Sequence, residues 1–170
     1  DETVYMLEVP TDRDGIVVRG MEALSDFAGG VTLDPQEIDR ERGVVIEEWR
    51  GRQGAGSRMQ TAQMEAIFGE SRYVDRVPIG LPEILRTVPA QRVRDFYEEF
   101  YRPDRMAVIA VGDFEPGDME ALIREHFGGL ASRPPAERSL YPVPLHADTR
   151  VVAVSDPEAQ SSSVSIILKR

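Results

Sequence analysis

The 170 residues carry a formal net charge of −10, from 30 acidic and 20 basic side chains. Nucleic acids and anionic membrane surfaces both call for basic patches, so neither fits as a partner. There is no cysteine, which excludes disulfide frameworks, thiolate metal sites and cysteine nucleophiles.

Hydrophobic residues make up 41% of the chain, enough for it to fold. The length suits one well-buried domain, or one domain plus part of another. No apolar run approaches the roughly 20 residues needed to span a bilayer. The two histidines, His126 and His146, are not at helical spacing, so the chain lacks a two-histidine zinc motif of its own. It begins at Asp1 with no initiator methionine and ends in SSSVSIILKR, which reads as the middle of a strand. The expectation is a piece of a longer protein with sequence missing at both ends.

In chain order, residues 3–9, TVYMLEV, are β-branched and aromatic, apolar on both faces, and stopped by Pro10. They read as a covered strand. TDRDG is a turn with Asp14 as a helix cap, and Ile16, Val17, Met21, Leu24 and Phe27 then recur at helical spacing until Gly29-Gly30.

Residues 34–50, DPQEIDRERGVVIEEWR, form the central helix. Asp34 is placed to cap it, Pro35 fits the first helical position, and Glu37 stands three residues after the cap. At about 100° per residue, Ile38, Glu41, Val45 and Glu48 fall near one line, with Val44 beside it. Glu41 and Glu48 are two turns apart, about 20° out of register. Two readings stand. Acids are common on helices, and the pair can belong to a solvated face. Alternatively, two carboxylates on an apolar stripe meet something cationic, such as a metal.

After the break GRQGAG, Ser57 is a cap for a helix with Met59, Met64, Ile67 and Phe68 as core filler. ESRYVDRVPIG is loop, and PEILRTV a short helix. PAQRVRDFYEEFY is a helix whose stripe of Val93, Phe96, Tyr97 and Phe100 reads as core. Residues 106–111, MAVIAV, read as a buried strand. Residues 115–127 are a helix with Met119, Leu122, Ile123 and Phe127 inward, and His126 near its C-terminus has a structural role. Prolines 134, 135, 142 and 144 mark an extended connection that holds His146, for which the sequence offers no partner. Residues 150–154 and 163–168 are strands joined by the loop SDPEAQSS. The expected fold is α+β, with helices packed on one face of a mostly antiparallel sheet.

Four blocks give the chain a resemblance. DETVYMLEVP resembles a family strand that comes after a catalytic helix. IDRERGVVIEEWR resembles the family's downstream glutamate helix, and VPIGLPEIL its proline-isoleucine-glycine loop. RVRDFYEEFYRPDRMAVIAVGDF resembles its aromatic helix, Tyr-x-Pro-type break and apolar strand ending Gly-Asp. In this order and spacing they resemble the pitrilysin/insulinase (M16-like) zinc peptidases, the inverted zincins.

The resemblance implies a half-domain like those of pitrilysin and the mitochondrial processing peptidases. Residues 1–133 would belong to the N-terminal catalytic half, 134–148 would be the connection, and 149–170 would begin the next strands or subdomain. It implies Glu48 as a zinc ligand and Glu41 as an acid that supports the site without binding metal. It implies zinc as cofactor, a peptide as substrate, and a second homologous half-domain or partner subunit. The family's H-x-x-E-H motif, which supplies two histidine ligands and the general base, is absent from these residues. The chain alone is therefore expected to be inactive and metal-free. The rival implication is a non-catalytic scaffold or partner subunit of the same family.

Overall fold

The computed structural model describes residues 2–132 and 139–169. Residues 134–138 of the expected proline-rich connection lie outside them. Among the described residues there are six α-helices: α1 (Ile16–Gly29), α2 (Pro35–Gly51), α3 (Ala55–Phe68), α4 (Pro82–Thr87), α5 (Ala90–Phe100) and α6 (Pro116–Phe127), with a 3-10 turn at Pro103–Arg105. The chain divides into two compact units, one taking the described residues of Asp1–Pro35 and Pro89–Ala136, the other those of Gln36–Val88 and Glu137–Arg170.

The α+β expectation is overturned. Among the described residues no strand is formed and no sheet exists. The segments read as strands, 3–9, 106–111, 150–154 and 163–168, have no regular secondary structure. Their apolar, β-branched composition suits a pleated, covered surface, but a strand also needs a neighbour to take its N–H and C=O groups. Within the described residues that neighbour is missing. MAVIAV is not buried either: Ile109 is 84% and Val111 92% exposed.

The helices follow their sequence signals closely, with local changes at the caps. Gly15, in the left-handed region at φ 72°, precedes α1, so Asp14 is not its cap residue. Only a residue without a Cβ enters that conformation at little cost. Gly54, not Ser57, stands at the start of α3. Proline sits in the first turn of α4 and of α6, where its missing N–H removes no helical bond.

In the first unit α1 packs on α6, and Met21 and Met119, one from each helix, are its buried apolar side chains. Residues 3–9 lie over α1. Leu7 and Val9 reach the face of the buried Gly20, and the Tyr5 ring stacks on Phe27 at 4.8 Å between centroids. The Tyr5 and Tyr101 hydroxyls meet at 2.5 Å. Burial, then the Tyr101 contact, pushes the Tyr5 phenol up to about 12. The Tyr97 hydroxyl donates to the Phe27 carbonyl at 2.9 Å. The aromatic stripe of α5 is thus only partly core: Tyr97 turns inward, while Phe96 and Phe100 stack on each other with much of their surface exposed.

Leu33 carries a positive φ of 48° without being glycine, a conformation that costs about 1 kcal/mol. Arg94 of α5 offsets that cost by donating from Nε and Nη2 to the Leu33 carbonyl, at 3.2 and 3.0 Å.

In the second unit α3 is tied to residues far along the chain. Arg58 grips Asp156 with two bonds, at 2.7 and 2.9 Å, and reaches Glu158 at 2.7 Å. Asp156 also accepts from the Glu158 amide at 3.0 Å, closing the loop that the sequence marks there.

Gly43 lies inside α2, and a Cβ added there meets no atom within 4 Å. Glycine in a helix interior is about 1 kcal/mol worse than alanine. Gly43→Ala should stabilise the chain by about that amount, read as a raised midpoint in thermal unfolding followed by circular dichroism.

Candidate functional site

The site is built on α2. Its inward line is Ile38, Arg42, Val45 and Trp49, all half-buried and spaced at i, i+4, i+7 and i+11, as one face of a helix requires. Glu41 and Glu48 fall about 60° and 80° to one side of that line, and both are exposed. Val44 stands between them on the same flank, 59% exposed. The two acids therefore share a face, but that face is the solvated border of the apolar stripe.

Glu48 is not idle on that border. Arg52, one turn on, donates from Nη2 to its Oε1 at 2.5 Å. Both side chains are largely exposed, so the pair is worth only about 0.3–0.5 kcal/mol and exchanges readily. Glu47 is held by Arg50 on another side of the helix.

What fixes the rotation of α2 is a residue the sequence pattern did not single out. Arg42 points inward with its side chain 16% exposed. Its Nη1 donates to the Leu85 carbonyl at 2.6 Å, its Nη2 to the Val88 carbonyl, and its Nε to Asp39 at 2.8 Å. Leu85 and Val88 are at the C-terminal end of α4, where carbonyls lack helical partners and the helix dipole favours a cation. One guanidinium thus caps α4 and locks α2 against it. The signal was present: Arg42 is the one charged residue on the line Ile38, Val45, Trp49.

Zinc sites take three or four ligands. Among the described residues no three of His, Cys, Asp or Glu gather closely enough to hold a metal. The nearer neighbour of Glu48 is a cation, Arg52. The described residues therefore do not fit zinc by themselves. His126 sits in the last turn of α6, with Nε2 buried and lacking a hydrogen-bond partner among the described residues. His146 Nδ1 does find a partner, the Asp148 carbonyl at 2.7 Å. A separate cleft of about 310 Å³ in the first unit is lined in part by Thr32, Arg94, Tyr97, Glu98 and Tyr101. No helix among the described residues is long and apolar enough to cross a membrane.

Comparison with known proteins gives the geometry a context. Residues 87–169 match the family model described as the peptidase M16 inactive domain. Over 171 aligned residues, 99% of this chain, it is 37% identical to the zinc protease PQQL-like of Arabidopsis thaliana. It is 32% identical, over 98% of its length, to the probable zinc protease PqqL of Escherichia coli K12. A crystal structure of the first half of the periplasmic protease PqqL from Escherichia coli matches 79% of the chain with a TM-score of 0.74 at 33% identity, the chain covering 29% of that structure. The chain belongs to the M16 peptidase family. This M16 chain spans 18% of the length of each of these two curated relatives. Glu41 and Glu48 lie before the stretch matched by the family model.

Two outcomes test the packing. Arg42→Ala leaves two carbonyls without their charged donor, at about 1.5–3 kcal/mol for such a bond, so unfolding in urea should show a loss of about 2 kcal/mol or more. Arg58 holds the Asp156 carboxyl down to about 2, against 3.8 ordinarily. A carboxyl depressed in the folded state stabilises it above the unfolded pKa, and that stability is lost as pH falls through the folded one. Wild-type stability should therefore drop between about pH 4 and pH 2, and Asp156→Asn should flatten that part of a pH series of urea midpoints.

Proposed function

We propose that this chain is the segment of an M16 zinc peptidase that brings Glu48 to the metal as a carboxylate ligand. Glu41 supports the site from the same flank of α2 without binding metal. The hydrolysis of peptide bonds belongs to a polypeptide of the relatives' length, in which histidines from outside these residues complete the zinc set. The observation that carries the reading is identity to zinc proteases over nearly the whole chain. The exposed flank Glu41, Val44, Glu48 is compatible with it: the carboxylates are reachable, and the Arg52 pair that occupies Glu48 is weak enough to yield to a metal. A further proposal concerns organisation, with residues 1–133 in the N-terminal catalytic half, followed by the connection at 134–148. The likeness to a structure of the first half of PqqL supports it. The partners are then a peptide substrate and a second homologous half-domain or partner subunit.

A second reading is a non-catalytic partner subunit of the same family. It draws support from the matched model, which is described as an inactive domain. The two readings separate in the full-length protein. On the first, Glu48→Gln removes stoichiometric zinc and peptidase activity together, and Glu41→Gln weakens zinc binding by about 10–100-fold. If the full-length protein binds zinc and cleaves peptides equally well with Gln at position 48, the assignment of Glu48 fails. If the unsubstituted protein has neither zinc nor activity, the partner-subunit reading takes its place.

A further inference from the structure

Arg42 is the residue whose contacts decide how α2 faces. All three of its guanidinium nitrogens are engaged: Nη1 with the Leu85 carbonyl at 2.6 Å, Nη2 with the Val88 carbonyl, and Nε with Asp39 at 2.8 Å. The accepting end of α4 is itself well formed. The Thr87 hydroxyl donates to the Glu83 carbonyl at 2.7 Å, and the Val88 amide to the Ile84 carbonyl at 2.8 Å. A guanidinium is planar, with donors fixed relative to one another. Two bonds from it to two carbonyls of one helix end therefore set the rotation of α2 as well as its distance. The other inward residues of α2, Ile38, Val45 and Trp49, offer mainly apolar surface, and apolar contact carries no direction. It holds two helices together without choosing the angle about the axis.

That angle matters for the two acids. Around the helix Arg42 stands about 100° from Glu41 and about 120° from Glu48, and none of its three bonds goes to either of them. Side-chain ends lie about 5–6 Å from a helix axis, so a turn of about 20° in α2 moves each carboxylate by about 2 Å. Metal–ligand distances are held to within about 0.2 Å. A rotation of that size is thus about ten times too large for a ligand.

We propose that Arg42 is a positioning residue for the Glu41–Glu48 flank: its fork on the end of α4 fixes the rotation of α2 and, with it, the direction of both carboxylates. This rests on the reading of Glu48 as a metal ligand. Arg42 acts through the helix and not by contact with the metal.

The test uses the full-length protein, with zinc affinity read by competition against a chelating dye and the urea unfolding midpoint read beside it. Arg42→Met keeps the apolar stem and removes every donor. Arg42→Lys keeps the charge that the end of α4 favours, but offers one nitrogen in place of a fork. Arg42→Met should weaken zinc binding by about tenfold, as for other groups that orient ligands. Arg42→Lys should keep most of the urea midpoint and still lose zinc affinity severalfold. Loaded with cobalt(II), each variant should show altered visible absorption bands, which report ligand geometry. Zinc affinity that falls only in step with the urea midpoint overturns the proposal, as do wild-type affinity and bands in both variants. Glu48→Gln separates the two claims. If it removes zinc while both Arg42 variants keep it, the positioning role alone fails; if it leaves zinc bound, the ligand reading fails and the positioning role falls with it.

Discussion

An arginine reaching from one helix to the backbone carbonyls of another segment is the contact on which each unit depends. Arg42 closes the end of α4 from α2, and Arg94 holds the Leu33 carbonyl from α5. A planar guanidinium suits this task because it offers several fixed donors at once and stays charged at any accessible pH. With Met21 and Met119 the buried apolar side chains among the described residues, apolar burial alone leaves helix orientation loosely specified. The arginines specify it. The direction in which Glu41 and Glu48 face follows from Arg42 rather than from the acids themselves.

The helices were legible because their signals are local. Pro35, Pro82 and Pro116 in first turns, Gly29-Gly30 after α1, and the 3.6-residue recurrence in α6 act within a few residues. The sheet was misread because strand composition and strand pairing are different things. TVYMLEV and MAVIAV have residues that suit a covered strand, yet pairing depends on a distant segment that composition does not reveal. The position of the two acids was half legible. Their shared flank follows from a seven-residue spacing, but placing them on the buried line was wrong by about 60–80°. The half-buried residues Arg42 and Trp49 move the centre of the stripe away from them.

Family membership was readable from four blocks in order, and the chemistry was not. A metal site needs several ligands converging from separate elements, and among the described residues no three of His, Cys, Asp or Glu gather in that way. What the structure of α2 shows is one helix with two acids on an accessible flank.

The Arg58 clamp has a consequence in time. Its partner Asp156 lies 98 residues further along the chain. At roughly 5–20 residues per second, a ribosome needs on the order of 5–20 s to supply that partner. For most of that interval α3 (to Phe68) is made but its Arg58 stays unclamped, so a nascent chain holds the front of the second unit incomplete while α5 and α6 of the first unit emerge. Slower translation across residues 59–156 lengthens the exposure, and a chaperone acting on this chain has that window in which to act.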